Sequence, residues 1–406
     1  LDAPAPVETT TPAAPRWPWK FLMLLMAMST IGPLALNIIL PAVPNLVRTM
    51  QTDPATVQLT MSLFVLGLAV SQLALGPLSD RFGRRPVTIA GLGITAVASV
   101  AALAATSIEA LIVARTIQAL GASTGLVISR AMIRDLYDRD RSASLIGAVA
   151  TVMVAAPMVA PMIGGVLETA FGWESIFAFV ALATIGVLVW AVVALPETRP
   201  DHITGGGARY ILGETRALLK DRNFIGYVLQ SSFGTATFFA FIGGAPHLVI
   251  GVMGLSAAQF GFWFILTAFG YMVGNLLAAR LSDRLGIHRM ILIGMSTQMC
   301  GALMLVAAAL LFPDGGPLTI FPLQFFVSCG NGMFLPNATA GAISVRPRAA
   351  GTASGLTGFM QMGTGAIAVQ VMSYLAAAAP TALPMALAML ALVTAAALSF
   401  IGLVRK

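Results

Sequence analysis

Charge is what this sequence has least of. Only 10% of its 406 residues are Asp, Glu, Lys or Arg, while 58% are hydrophobic. A soluble chain of that length needs far more charge to cover its surface. Histidine and cysteine are scarce too, with 3 and 2 copies. Cys300 and Cys329 lie inside apolar runs and read as small packing residues with no disulfide role. No zinc-type His/Glu pair, Ser/His dyad or pair of intramembrane acids is present, so neither an enzyme nor a metal or cofactor is expected. No polar stretch is long enough for a soluble catalytic or output domain, which argues against a receptor.

Apolar runs of about 19 to 25 residues recur along the chain, each long enough to cross a bilayer as a helix. Twelve are counted, starting near Phe21, Val57, Val87, Ile108, Ala143, Ser175, Phe224, Ala257, Met290, Leu318, Gly355 and Leu383. The expected fold class is an all-α membrane protein with twelve transmembrane helices. An even number puts both termini on one side. The loops on that side, with the termini, carry 21 of the 23 basic residues, so that side is cytoplasmic by the positive-inside rule. The formal charge of +7 therefore calls for no nucleic-acid partner. The first apolar run is too long for a signal-peptide core and reads as a membrane anchor.

Four segments follow. Residues 1–18, rich in Pro, Thr and Ala, read as a disordered cytoplasmic tail. Residues 19–196 form a first six-helix bundle, 197–222 a cytoplasmic connector with the flexible "TGGGAR", and 223–406 a second bundle. The halves are pseudo-symmetric: "LSDRFG" at 78–83 recurs as "LSDRLG" at 281–286, an offset of 203 residues. A duplicated six-helix unit with substrate bound between its halves permits alternating access by rocking.

"GPLSDRFGRRPV" (76–87) joins the second and third spans. Positive-inside charge accounts for Arg81, Arg84 and Arg85. It does not account for an acid, Asp80, set between Gly76 and Gly83, nor for the echo at Asp283. A cytoplasmic gate does, since interfacial charge in membrane proteins has partners. The start of the eleventh helix, with Thr352 and Ser354, is a candidate partner for Asp80. Arg134 and Asp135, at the inner end of the fourth span, belong to the same gate.

Here the chain resembles the major facilitator superfamily, and within it the drug:proton antiporters of the bicyclomycin/chloramphenicol-resistance (Bcr/CflA) type. The resemblance covers about residues 20–400. It rests on "GPLSDRFGRRPV", "ARTIQALGAS" (114–123), "RAMIRDLY" (130–137), "APMVAPMIGG" (156–165), "GWESIF" (172–177), "LPETRP" (195–200) and "AGTASGL" (350–356). It implies a bacterial inner-membrane exporter of small, moderately hydrophobic compounds, a multidrug efflux antiporter working with protons, as a monomer.

Arg115 falls seven residues inside the fourth span, about 10 Å below its outer end. A guanidinium there needs water or a partner, unless its stem reaches back to the interface. The family's matching Arg lines the cavity and is tied to substrate and proton coupling, a role the resemblance gives to Arg115, with Gln118 one turn away in support. Pro157, Pro161, Gly164 and Gly165 crowd one span, which should bend or pack tightly. They resemble the motif that marks exporters.

Asn37 precedes the "LP..P" that ends the first span, about 9 Å from the outer surface when counted from Val43. In the resembling family this position is usually a proton-exchanging aspartate, and no other acid lies deep in a span. Three readings stand. Asn37 hydrogen-bonds drug or the neighbourhood of Arg115 while another group, such as His247 near the outer end of the seventh span, titrates. The protein is an uncoupled facilitator, or exports an anionic metabolite. Or the chain is a substituted version of one with aspartate here. His247 also reads as an interfacial histidine with a satisfied ring. Further cavity candidates are Gln58, Gln230, Phe233, Phe238, Asn275 and Gln361, although any single aromatic more often faces lipid or core.

Overall fold

The computed structural model describes residues 18–137, 139–199, 208–346 and 349–404. The expected tail 1–18 lies outside these residues save for Pro18, and most of "TGGGAR" lies outside them too. Among the described residues every regular element is helical. They run α1 (Pro18–Asn37), α2 (Val43–Thr49), α3 (Pro54–Phe82), α4 (Arg84–Leu103), α5 (Ile108–Leu136), α6 (Arg139–Phe171) and α7 (Glu174–Ala194). There follow α8 (Ala208–Leu218), α9 (Arg222–Pro246), α10 (Ala257–Leu285), α11 (Ile287–Leu311), α12 (Phe321–Ser344), α13 (Ala350–Ala378) and α14 (Leu383–Leu403).

Ten continuous helical segments are long and apolar enough to cross a membrane, with α1 and α2 counted as one and α9 extended to Val252. Two further long helices, α6 and α13, pack among them; α13 is diluted by glycine, serine, threonine and glutamine. Large apolar side chains such as Val97, Leu182, Val193, Leu311 and Leu398 are exposed on the outside, as lipid contact requires.

Local signals set the helix ends. Asp53, Ser107, Asp221 and Ser256 each cap a helix by accepting a backbone N–H, and Ser256 with Gln259 completes a capping box. Gly83 and Gly286 both have positive φ, +99° and +78°, and turn α3 into α4 and α10 into α11. The echoed "LSDR-G" thus makes the same backbone corner twice.

Helices α1 and α3 to α7 pack on one another, and α9 to α14 do likewise. Two helix pairs join these groups: α3 with α13, and α6 with α10.

The first span departs from expectation. It does not stop at Val43 but continues through a 3-10 turn, Leu40–Ala42, into α2. The helix breaks after Asn37 because Pro41 and Pro44 supply no N–H to the carbonyls of Asn37 and Leu40. Tertiary packing then carries the chain onward, with Leu40, Pro41, Ala42 and Leu46 buried. Asn37 therefore lies twelve residues before the end of α2, not the six before Val43 from which its expected depth is counted.

Candidate functional site

Arg115 is buried within the first half, only 1% exposed. Its Nη1 donates to the carbonyl of Ala35 on α1 at 2.9 Å and to Gln118 Oε1 at 2.6 Å. Gln118 in turn donates to Ser99 Oγ on α4 at 2.7 Å. The guanidinium lies 4.1 Å from the ring centre of Phe64 and 5.9 Å from that of Phe177. Two aromatic faces and a carbonyl thus stand where a carboxylate would ordinarily be. A desolvated cation–π contact is worth about 2 kcal/mol. Arg115 Nε and Nη2 have no protein acceptor, and Asn37 Oδ1 has no donor. Asn37 spends its amide on Pro33 O, 2.8 Å away, at the last turn of α1. The break in the first span thus stands beside the only buried cation without an acid among the described residues.

The motifs expected at the cytoplasmic gate converge on Arg84, which is 6% exposed. Its guanidinium reaches Asp135 Oδ2 at 2.9 Å, Ser79 Oγ at 2.6 Å and Asp80 one turn back. Glu197, from "LPETRP", accepts the backbone N–H groups of Arg84 (2.9 Å) and Arg85 (3.1 Å) at the start of α4, and of Thr198 and Arg199. Thr198 Oγ1 donates to Asp135, Arg199 to the Arg81 carbonyl and Arg85 to the Val192 carbonyl. Burial works to raise the Glu197 carboxyl, but the four backbone donors prevail and hold it below its ordinary 4.5. A side chain at Gly83 would meet Glu197 Oε2 at 2.6 Å, so this glycine makes room for the clamp.

The gate expected at Asp80, Arg84 and Asp135 is therefore one network inside the first half. Asp80 pairs with Arg84, not with Thr352 or Ser354 of α13. Arg134 and Arg81 are exposed, and among the described residues neither makes an ion pair. Gly76 has open space beside it. Asp283 keeps the corner but not the clamp, since Ile287 and His288 replace Arg84 and Arg85. His288 bonds Tyr227 instead, at 3.0 Å, against Phe400. Glu197 was missed because a "PET" after a span reads as an ordinary loop.

On the side expected to face outward the two halves touch backbone to backbone. Gly164 abuts the Ile38 carbonyl at the break in the first span, and Gly165 abuts the Ala257 carbonyl of α10. Pro161 is buried and its carbonyl lies against Gly261 of α10, while Pro157 is half-buried; α6 runs on through both prolines. His247 begins a π-helical turn, His247–Val252, and with Gln58 and Ser373 lines a cavity of about 20 Å³ between the halves. Gln58 is held within its own helix by Met61.

The remaining candidates of the second half are uncharged amides and aromatics. Both side-chain polar atoms of the buried Gln230 lack partners, as does Gln361 Nε2. Phe233 is half-buried, and Phe238 stands edge-on to Phe239 and Phe264. Asn275 donates to the Tyr271 carbonyl inside α10. Arg115, Gln118 and the first-span break thus form one group, and Gln58 with His247 another, lining a cavity with Val43 and Pro44 just beyond that break.

A family model described as Major Facilitator Superfamily matches residues 25–369. The chain is 31% identical to "Multidrug resistance protein D" of Escherichia coli, over 86% of this chain and 87% of that one. It is 29% identical to the "Bicyclomycin resistance protein homolog" of Haemophilus influenzae over the same shares. A "Chloramphenicol resistance protein" of Pseudomonas aeruginosa is 31% identical over 71% of this chain and 69% of its own. In fold it is similar to a bacterial homolog of the human lysosomal transporter Spinster, TM-score 0.73 at 15% identity, covering 96% and 97% of the two chains. The chain is a multi-pass membrane transporter, not an enzyme, and it belongs to the Major Facilitator Superfamily.

Proposed function

We propose that the protein exports small, moderately hydrophobic organic compounds across the inner membrane of a bacterium. Its two six-helix bundles, 19–196 and 223–406, rock about a central site to give alternating access, and protons drive the cycle. The relatives named for bicyclomycin, chloramphenicol and multidrug resistance support the substrate class. Direction and closure draw on the packing of Gly164 and Gly165 at the outer seam.

One observation carries the polarity of the site: a single buried guanidinium has two aromatic rings, a backbone carbonyl and an amide for partners and no carboxylate. Such a site suits neutral or weakly anionic compounds with hydrogen-bonding groups, held by Asn37, Arg115, Gln118, Gln230 and Gln361 once the packed helices part. Burying the cation and leaving two of its nitrogens unpaired costs several kcal/mol in the resting state, and substrate would recover some of it.

A second reading is favoured by the same geometry. With an amide at Asn37, an anionic metabolite could run down its own gradient without protons. Chloramphenicol flux into liposomes, with and without an imposed pH gradient, separates the two. Gradient-accelerated flux supports the antiporter; flux indifferent to the gradient supports the facilitator.

A further inference from the structure

Three charged side chains are buried among the described residues: Arg84, Arg115 and Glu168. Arg84 has two carboxylates and Arg115 has aromatic faces. Glu168 has no cation. It lies in the last turn of α6, 9% exposed, and by sequence it reads as an acid of the outer helix ends. Its Oε1 accepts from Asn45 Nδ2 of α2 at 2.7 Å, and its Oε2 is buried with no partner. The indole nitrogen of neighbouring Trp173 is also buried and unpaired. The charged groups acting on it are Arg48 of α2 and Glu174 of α7, both exposed and of opposite sign. The outer turns of α1 and α10 and the 3-10 turn contribute no ionisable side chain.

Opposing influences meet at this carboxyl. Burial and the orphaned oxygen favour the neutral acid, while the Asn45 amide favours the carboxylate. No other acid among the described residues is buried. Its position also connects it to both moving bodies. Gly164, one turn below, abuts the break in the first span, whose outer piece carries Asn45. Gly165 abuts α10 of the other half.

We propose that Glu168 binds and releases a proton during the transport cycle, exchanging it with the outer aqueous phase, with Asn45 as the donor that holds its carboxylate form. This rests on the proton-driven reading above. Taking up the proton fills the orphaned oxygen and leaves Asn45 without a full negative charge to hold. The outer piece of the first span is then freed to shift relative to α6, and the last turn of α1, whose Ala35 carbonyl holds Arg115, shifts with it.

Two measurements test this together: an infrared pH titration of carboxyl groups in the purified protein, and chloramphenicol flux in liposomes under a pH gradient. In the unaltered protein one carboxyl titrates in the membrane region and the gradient accelerates flux. Glu168→Gln removes that titration and the acceleration while downhill flux persists. Glu168→Asp restores both with a displaced midpoint. Asn45→Ala moves the midpoint to higher pH by about one unit, the loss of one hydrogen bond to a charged oxygen. Acceleration that survives Glu168→Gln, or an unchanged titration, overturns the role of Glu168 alone. An unaltered protein indifferent to the gradient contradicts the proton-driven reading and removes this role with it.

Discussion

Gly165 of α6 lies against the carbonyl oxygen of Ala257 of α10, with no side chain between the two halves. Its neighbour Gly164 turns the other way, onto the Ile38 carbonyl. A backbone carbonyl cannot swing aside as a side chain can, so a methyl group at either position must push the packed helices apart. Overpacking of this kind costs about 1–3 kcal/mol.

Gly165→Ala should therefore loosen the outer seam, and Gly164→Ala should disturb the first-span break without separating the halves. Maleimide labelling of Ala258→Cys at the seam reads this out. Faster labelling with Gly165→Ala is expected, with little change for Gly363→Ala, where a methyl group meets open space. Equal rates in all three would remove the seam from the mechanism.

The Arg84 clamp allows its two acids to be ranked. Asp135 is 12% exposed in its side chain and Asp80 41%. Breaking a buried pair costs about 3–5 kcal/mol, whereas a half-exposed one is worth about 0–1 kcal/mol. Asp135→Asn should lower the melting temperature in detergent well beyond Asp80→Asn, and Arg84→Lys should resemble Asp135→Asn because an ammonium lacks the fork. A larger effect from Asp80→Asn would mean that its important partner lies elsewhere.

The Glu197 contribution has a defined pH window. Its carboxyl is held below 4.5 in the folded protein, so the stability it adds is full above that value and falls away as pH drops through the folded one. Between pH 6 and 8, Glu197→Gln should lower the melting temperature by a constant amount. Below about pH 4.5 the gap between variant and unaltered protein should narrow. A gap that widens on acidification contradicts the assignment.

Gly83→Ala should reproduce Glu197→Gln, since its methyl group would occupy the place of Glu197 Oε2 and its φ of +99° suits only glycine. Melting temperatures of the two single variants and the double variant check this. Additive losses would show that the two positions act separately.

How far the sequence foretold this depended on what each residue needs. Arg115 was legible because charge in hydrocarbon is rare, and its depth followed from helical rise. The corner at Gly83 and Gly286 was legible because both copies carry the glycine. The partners were not. Which of 22 phenylalanines meet Arg115 is decided by how α3 and α7 pack around α5, and no spacing encodes Phe64 with Phe177. Asp80 was expected to reach α13, but Arg84 lies one turn away and takes it first. Glu168 was passed over because three residues from a helix end ordinarily means solvent. Its one hydrogen-bond partner, Asn45, comes from α2, a piece of the first span that Pro41 and Pro44 hid by marking an end where the chain only broke.

The measurement that bears most directly on the account is chloramphenicol accumulation in cells expressing Arg115→Ala or Arg115→Lys at the same membrane abundance as the unaltered protein. A substrate that depends on the lone guanidinium predicts lost export in Arg115→Ala and little recovery in Arg115→Lys, whose ammonium cannot span Ala35, Gln118 and the two rings together. Export at the unaltered rate in Arg115→Ala would contradict it, leaving that residue a packing element of the first half.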